Sequence, residues 1–223
     1  MTTLLIATRN AHKVGEIQAI LGDGFACRAL LKEFPAAPIA IEDADTFAGN
    51  ALKKAESLSG WLAGLSPAER RGLGAAQTFI LADDSGLEVD ALGGAPGVHS
   101  ARFAAMDSGH EGNSPDADNN AKLLRLLADV PQAKRTARFR CVLALVEVNR
   151  AVPVLTPQLF EGACEGWIDL APRGSGGFGY DPLFIPLGHD KSFAELGESV
   201  KNGLSHRAKA LAKLREWFSG GSD

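Results

Sequence analysis

Two adjacent carboxylates, Asp83 and Asp84, close an apolar, strand-like run at residues 78–81 and lead into Ser85-Gly86. A divalent ion held by one or two carboxylates fills its remaining positions with water and phosphate oxygens, so the pair points to a metal-held phosphate ligand. The same spelling predicts a tight turn, because Asp, Ser and Gly are ordinary turn formers, and a plain turn would need no ligand at all. A second acidic cluster lies at residues 41–45, where Glu42 is able to join Asp83 or Asp84 at one cation. It precedes a helix in which Asn50 and Lys54, four residues apart, face the same way, with Lys54 placed to neutralise phosphate charge. An acidic loop capping an amphipathic helix would read identically.

Three further segments carry chemistry. Thr8-Arg9-Asn10-Ala11-His12-Lys13 falls between an opening strand and its helix, with Asn10 as N-cap. Free N–H groups and the positive end of the helix dipole attract phosphate there, and Lys13 adds a full charge. The segment has no glycine and no Gly-Lys-Ser/Thr, so it is not a Walker loop; an ordinary strand-to-helix turn would look the same. Residues 174–182 contain Gly-x-Gly-x-x-Gly, yet Pro182 and Pro186 block the helix that a dinucleotide fingerprint must open. They read instead as a flexible cradle for a flat ligand, with Phe178 and Tyr180 offering rings to a base; a glycine-rich hairpin with core aromatics is the competing reading. Finally, Lys201 and the pair His206-Arg207 put cations at the start of a closing helix, where they oppose the dipole and so hint at an anionic or carbonyl ligand.

The elements that must position these residues alternate between strand-like and helical patterns, an α/β chain. Val14, Ile17, Ile20 and Leu21 share one helical face, and Ala51, Ala55, Leu58 and Leu62 form a stripe on a helix starting at Asp45 or Thr46. Residues 137–148 read as a central strand with residues 160–170 as its neighbour, and a last helix is capped by Ser205 with Leu211 and Leu214 inward. The connection at 64–77 is an unusually long surface segment, and the tail from Ser219 is expected to fray.

Composition bounds the function. The chain has 223 residues, 45% hydrophobic and 22% charged, enough for a substantial core in one or two domains. A net charge of -4 argues against a broad grip on nucleic acid or an anionic membrane, so an anionic ligand must be held by clustered cations. Cys27, Cys141 and Cys164 have neither disulfide nor zinc spacing, and the short apolar run at 4–7 has no positive charge before it. Both features place the protein in the cytoplasm.

Together, in order and over nearly the whole chain, these segments resemble the family of inosine/xanthosine triphosphate pyrophosphatases. Its pattern is met as Ser/Thr-x-Asn-x-x-Lys at Thr8, Thr-Phe-x-x-Asn-Ala-x-x-Lys at Thr46 and Ala-Asp-Asp-Ser-Gly-Leu at Ala82. Gly-Gly-Ala-Pro-Gly-x-x-Ser-Ala-Arg at Gly93, Gly-Gly-Phe-Gly-Tyr-Asp-Pro around Gly177 and Ser-His-Arg at Ser205 complete it. The resemblance implies an elongated mixed β-sheet flanked by helices, one nucleotide pyrophosphatase domain over residues 1–223 with two lobes and a cleft between them, and a homodimer. It implies magnesium and release of pyrophosphate from ITP, dITP or XTP. By the same carry-over, Thr8, Arg9, Asn10, Ala11, His12 and Lys13 bind phosphate, Glu42 and Asp84 serve the metal with Asp83 in reserve, and Asp84 is the general base. Lys54, Ser85, Phe178, Gly179, Tyr180, Asp181, Lys201, His206 and Arg207 contact substrate. Arg9 stands where many members have glycine, and the 64–77 connection is longer than usual. The alternatives are a related pyrophosphatase for pyrimidine or modified nucleotides, and a nucleotide-binding protein without turnover.

Overall fold

A computed structural model describes the chain apart from residues 9, 67, 71–72, 74–76, 108, 110–111, 149–155 and 221–223. In chain order the strands are β1 (Thr2–Ile6), β2 (Phe25–Ala29), β3 (Thr78–Val89), β4 (Thr136–Glu147), β5 (Gln158–Ile168) and β6 (Phe184–Pro186). The helices are α1 (Ala11–Leu21), α2 (Leu30–Glu33), α3 (Phe47–Gly64), α4 (Asp116–Leu126), α5 (Phe193–Leu204) and α6 (His206–Gly220). One six-stranded sheet has the order β2-β1-β3-β4-β5-β6. β1 runs parallel to β2 and to β3, while β6 is antiparallel to β5, so the sheet is mixed and the α/β expectation holds.

The chain divides into two compact units, one formed by Met1–Asp84, Val142–Glu161 and Ala210–Asp223, the other by Ser85–Cys141 and Gly162–Lys209. In the first, Leu4, Leu5 and Ile6 are all fully buried. Successive strand side chains point to opposite faces, so β1 is covered on both, as a central parallel strand must be. Leu4 lies opposite Cys27 on one side and Phe79 on the other. Ile17 and Leu21 of α1, the predicted stripe Ala51, Ala55, Leu58 and Leu62 of α3, and Leu211 and Leu214 of α6 are buried. Phe218 meets Phe25 and Phe79 edge-on, with ring centres 5.2 and 5.1 Å apart.

The second unit centres on Leu87, Phe103, Leu123, Phe139, Tyr180, Phe184 and Phe193. Arg135, itself buried, donates to the carbonyls of Leu127 and Val130 just beyond α4, placing a cation where the helix dipole favours one. The sequence reading named no element between Pro186 and Ser205. There Ser192 opens α5 with a capping box, its hydroxyl accepting the Glu195 N–H while the Glu195 carboxylate accepts the Ser192 N–H.

The expected turn at 84–86 is not one. β3 continues unbroken from Thr78 to Val89, through both aspartates. Local preference for a turn is overridden because Asp83 and Asp84 are buried and each finds a cationic partner, and further along the strand Leu87 and Val89 are fully buried. Ser219 and Gly220, expected to fray, are still in α6; the rest of the tail and part of the 64–77 connection lie outside the described residues. Among the described residues, no helix is long and apolar enough to cross a membrane.

Candidate active site

The groups expected to hold phosphate and metal fall in the first unit, apart from Lys201, also expected to help hold the triphosphate, which falls in the second. Asn10 caps α1 as expected: its side-chain oxygen accepts the N–H of His12 at 2.9 Å and of Lys13 at 3.4 Å. The Thr8 hydroxyl accepts the Asn10 N–H at 3.0 Å, fixing the approach to the cap. Ala11 contributes helical backbone, and Arg9 lies outside the described residues. Lys13, in the first turn of α1, pairs with the fully buried Asp83 side chain.

Helix α3 delivers the second cation. Thr46 caps it, its hydroxyl accepting the Gly49 N–H at 3.0 Å, and one turn on Asn50 and Lys54 project to the same side, as their spacing predicts. Lys54 Nζ donates to Asp84 Oδ1 at 2.8 Å, to Glu42 Oε2 at 3.1 Å and to the Asp83 carbonyl oxygen at 3.1 Å. Asn50 Nδ2 donates to Asp84 Oδ2 at 3.3 Å, while Asn50 Oδ1 accepts the Ala44 N–H at 2.9 Å. Both Asp84 oxygens are therefore bound, and Glu42 and Asp84, 42 positions apart in sequence, reach the same ammonium.

Burial pushes the Asp84 carboxyl above its ordinary range despite the opposing pull of Lys54. Burial also pulls on Lys54, but downward, and there the carboxylates of Asp84 and Glu42 prevail and raise its pKa. The two directions agree: the ammonium stays charged, and Asp84 is a better proton acceptor than a solvated aspartate. Among the described residues no group of three or more His, Cys, Asp or Glu side chains gathers as a metal site. The three expected metal carboxylates divide, Glu42 and Asp84 sharing Lys54 while Asp83 takes Lys13.

The groups expected to contact a base fall in the second unit. Arg207 is almost wholly buried, and its Nη2 donates to Ser85 Oγ at 3.0 Å. His206 is buried too, its ring stacked on Phe139 with centres 4.8 Å apart. Lys201 Nζ donates to Asp181 Oδ2 at 2.7 Å and sits 4.2 Å from the centre of the half-buried Phe178 ring. The same Asp181 oxygen accepts the Phe178 N–H at 2.8 Å. Lys201, Asp181 and Phe178 are thus one cluster, which the sequence could place only as separate segments.

Two readings of the glycine loop are corrected. Tyr180 is not a free stacking face: its ring is in the core, 3% exposed, and its hydroxyl donates to the Ser100 carbonyl at 2.9 Å. An aromatic with a satisfied hydroxyl gains more by burial than by waiting for a ligand. Gly174, Gly176 and Gly177 do not leave backbone free for a flat ligand either, whereas Gly179 has open space around it; a Cβ on Gly174 would lie 2.7 Å from the Ala194 carbonyl carbon, at the start of α5. At Gly177, φ is 74° and a Cβ would fall 2.1 Å from Asp181 Oδ2. The loop is a tied turn packed on α5, which leaves the Phe178 ring as its remaining base-stacking candidate.

Sequence reasoning noted Asn50, and Ser100 within the motif at Gly93, without giving either a role, and it missed Asp116 and Asn120. Ser100 Oγ accepts the Leu87 N–H at 2.9 Å and donates to the Gly97 carbonyl at 2.6 Å. Asp116 and Asn120 both bond Gly179, and only their four-residue spacing could have suggested a shared face.

Comparison with known proteins places the chain in a family. The family model described as the Ham1 family matches residues 4–217. A dITP/XTP pyrophosphatase of Geobacter sulfurreducens is 48% identical over 217 residues, covering 97% of this chain and 96% of that protein. Its counterpart from Geobacillus kaustophilus is 47% identical over 217 residues, covering 97% and 94%. Among solved structures, a HAM1 protein from Coxiella burnetii superposes with a TM-score of 0.76 at 36% identity, over 98% of this chain and 99% of that one. With the model spanning nearly every described element and relatives this similar at full length, the chain belongs to the Ham1 family.

Proposed function

We propose that this protein hydrolyses noncanonical purine nucleoside triphosphates, dITP, XTP and ITP, to the monophosphate and pyrophosphate, clearing them from the nucleotide pool of the cytoplasm. The observation that carries the reading is the sharing of Lys54 between Glu42 and Asp84, at 3.1 and 2.8 Å, in a chain whose relatives are named dITP/XTP pyrophosphatases.

The phosphate end belongs to unit 1. The capped start of α1, with Thr8, Asn10, Ala11, His12 and Lys13, offers backbone donors and a positive dipole end to an anion. Two ammonium groups face three carboxylates here, too little positive charge for a triphosphate of about four negative charges. A further hard cation is needed, and the donor set suits it, because Glu42 and Asp84 present carboxylate oxygens that already converge on one cation. Magnesium held by Glu42 and Asp84 would neutralise and orient the phosphate chain. Asp84, its pKa raised by burial, takes the proton from the water that attacks the α-phosphorus, and Asn50 and Lys54 hold its two oxygens in place meanwhile. Lys13 and Lys54 meet the charge that develops on the departing pyrophosphate.

The base end belongs to unit 2, with Phe178 as the stacking ring and Lys201 and Asp181 holding it. Base choice follows hydrogen-bond sense: donors on His206 and Arg207 match a 6-oxo group, whereas the 6-amino group of adenine would face them as a second donor. Both side chains are buried, where an unmatched donor costs most. The two units are read as one enzyme, working as a homodimer.

Incubation with magnesium and a panel of triphosphates, followed by identification of the phosphorus products, tests the reading. Equal amounts of monophosphate and pyrophosphate from dITP and XTP, with slow turnover of dATP and the pyrimidine nucleotides, are expected. Release of orthophosphate would refute attack at the α-phosphorus, and preference for a pyrimidine substrate would favour the related pyrophosphatase.

A further inference from the structure

Helix α4 grips the Phe178 loop at a single residue from two sides. The Gly179 N–H donates to Asp116 Oδ2 at 2.6 Å, and Asn120 Nδ2 donates to the Gly179 carbonyl at 3.0 Å. Asp116 and Asn120 are one helical turn apart, so one face of α4 holds both peptide planes flanking Gly179. Gly179 itself has φ of 63°, a conformation that glycine adopts freely and a side chain would oppose.

Neither side chain is well explained by stability. Asp116 is exposed, and Asp118 already supplies first-turn negative charge to α4. Asn120 is buried, and its Oδ1 has no hydrogen-bond partner, an omission that costs at least what the one Asn120 bond returns. What the two share is the neighbour of Phe178, whose own N–H is fixed by Asp181 and whose ring is covered by Lys201.

We propose that Asp116 and Asn120 are positioning residues for base selection: by clamping the Gly179 peptide, α4 aims the Phe178 ring at the purine without itself touching it. The inference rests on the reading of Phe178 as the base-stacking ring. In this arrangement selectivity is set partly by a helix that contributes nothing to the phosphate chemistry.

The test compares dITP hydrolysis by wild type, Asp116→Ala, Asp116→Asn, Asn120→Ala, Phe178→Ala and the Asp116→Ala/Phe178→Ala double variant. Loss of the charge-assisted bond to the loop should raise KM about tenfold in Asp116→Ala, and loss of the neutral bond should raise it about threefold to tenfold in Asn120→Ala, while kcat moves less than about threefold in both. Asp116→Asn keeps an oxygen that accepts the Gly179 N–H, so KM should return to within about twofold of wild type. In the Phe178→Ala background Asp116→Ala should add nothing, because its route to the substrate is gone. A role in helix stability predicts the reverse: Asn as harmful as Ala, a lowered Tm in place of a raised KM, and effects additive with Phe178→Ala. Any of these overturns the proposal. The Gly179 amide resonance gives a reading free of turnover. It should move in Asp116→Ala and hold in Asp116→Asn, and an unmoved resonance in both overturns the clamp itself. Wild type that fails to release pyrophosphate from dITP, with the resonance behaving as expected, would instead sink the proposed function and leave the clamp standing.

Discussion

Replacing Asp84 by Asn separates the proposed catalytic work of this carboxylate from its structural work. The side chains are nearly equal in size, so packing is preserved, but the hydrogen-bond inventory is not. The new Oδ1 still accepts from Lys54 Nζ at 2.8 Å, whereas the new Nδ2 confronts Asn50 Nδ2 across 3.3 Å, donor against donor. Rotating the Asn50 amide would relieve that clash only by withdrawing the acceptor that Asn50 Oδ1 offers to the Ala44 N–H. One buried polar group is left unmatched either way, which costs about 1–3 kcal/mol, and Lys54 is left with Glu42 as its remaining ion partner. In a chain of this length about 1 kcal/mol moves Tm by about 2–4 °C, so scanning fluorimetry should find Tm lower by roughly 2–12 °C. Turnover should fall far more than stability: loss of a general base costs about a hundredfold to ten-thousandfold in kcat. The assay is pyrophosphate release from dITP at a temperature where the variant is fully folded. A kcat within about tenfold of wild type would remove Asp84 as the base. An unchanged Tm would show that Asn50, Asp84 and Lys54 do not form the network described.

Three other expectations follow from single contacts. Gly177→Ala places a Cβ 2.1 Å from Asp181 Oδ2 at a φ of 74°, so it should lower stability by about 1–3 kcal/mol and raise KM by releasing Phe178; a wild-type Tm would contradict the tied loop. Tyr180→Phe removes the bond to the Ser100 carbonyl, should cost about 1–2 kcal/mol by denaturant unfolding, and should leave KM within about twofold, since the ring serves the core; a large rise in KM would restore Tyr180 to the substrate. Burial pushes the thiols of Cys27 and Cys164 from 9.0 up to about 11, so at about pH 8 the native protein should resist Ellman's reagent until unfolded, and rapid native labelling would refute it. The sign for stability follows: the native state holds these protons more tightly than the unfolded chain, so Tm is untouched by them below 9.0 and falls as pH rises from there through about 11.

Much of the site was legible because helical spacing is local geometry. Asn50 and Lys54 must share a face wherever α3 docks, Asn10 must cap a helix that begins one residue later, and the stripes of α1 and α3 must turn inward. The ordered string of motifs also identified the family, since short segments with fixed residue types survive any uncertainty about the elements between them. The turn at Asp84-Ser85-Gly86 was misread because turn propensity is weak beside two buried ion pairs formed with Lys13 and Lys54, 70 and 30 positions away. Tyr180 was misread for the same reason: a lone tyrosine beside glycines looks available, and only the packed core of the second unit reveals where its ring goes.

Sequence alone therefore determined which residue types are present, which of them ride together on a helix, and that their charges need a cation to accept an anionic substrate. Tertiary structure decided the partners: that Glu42 meets Asp84 at Lys54, that Asp83 turns to Lys13, and that α4 reaches Gly179. The division has one physical cause. A side chain's direction is set by the few residues around it, whereas its partner is chosen by burial energies summed over elements far apart in the chain, and no single segment encodes that sum.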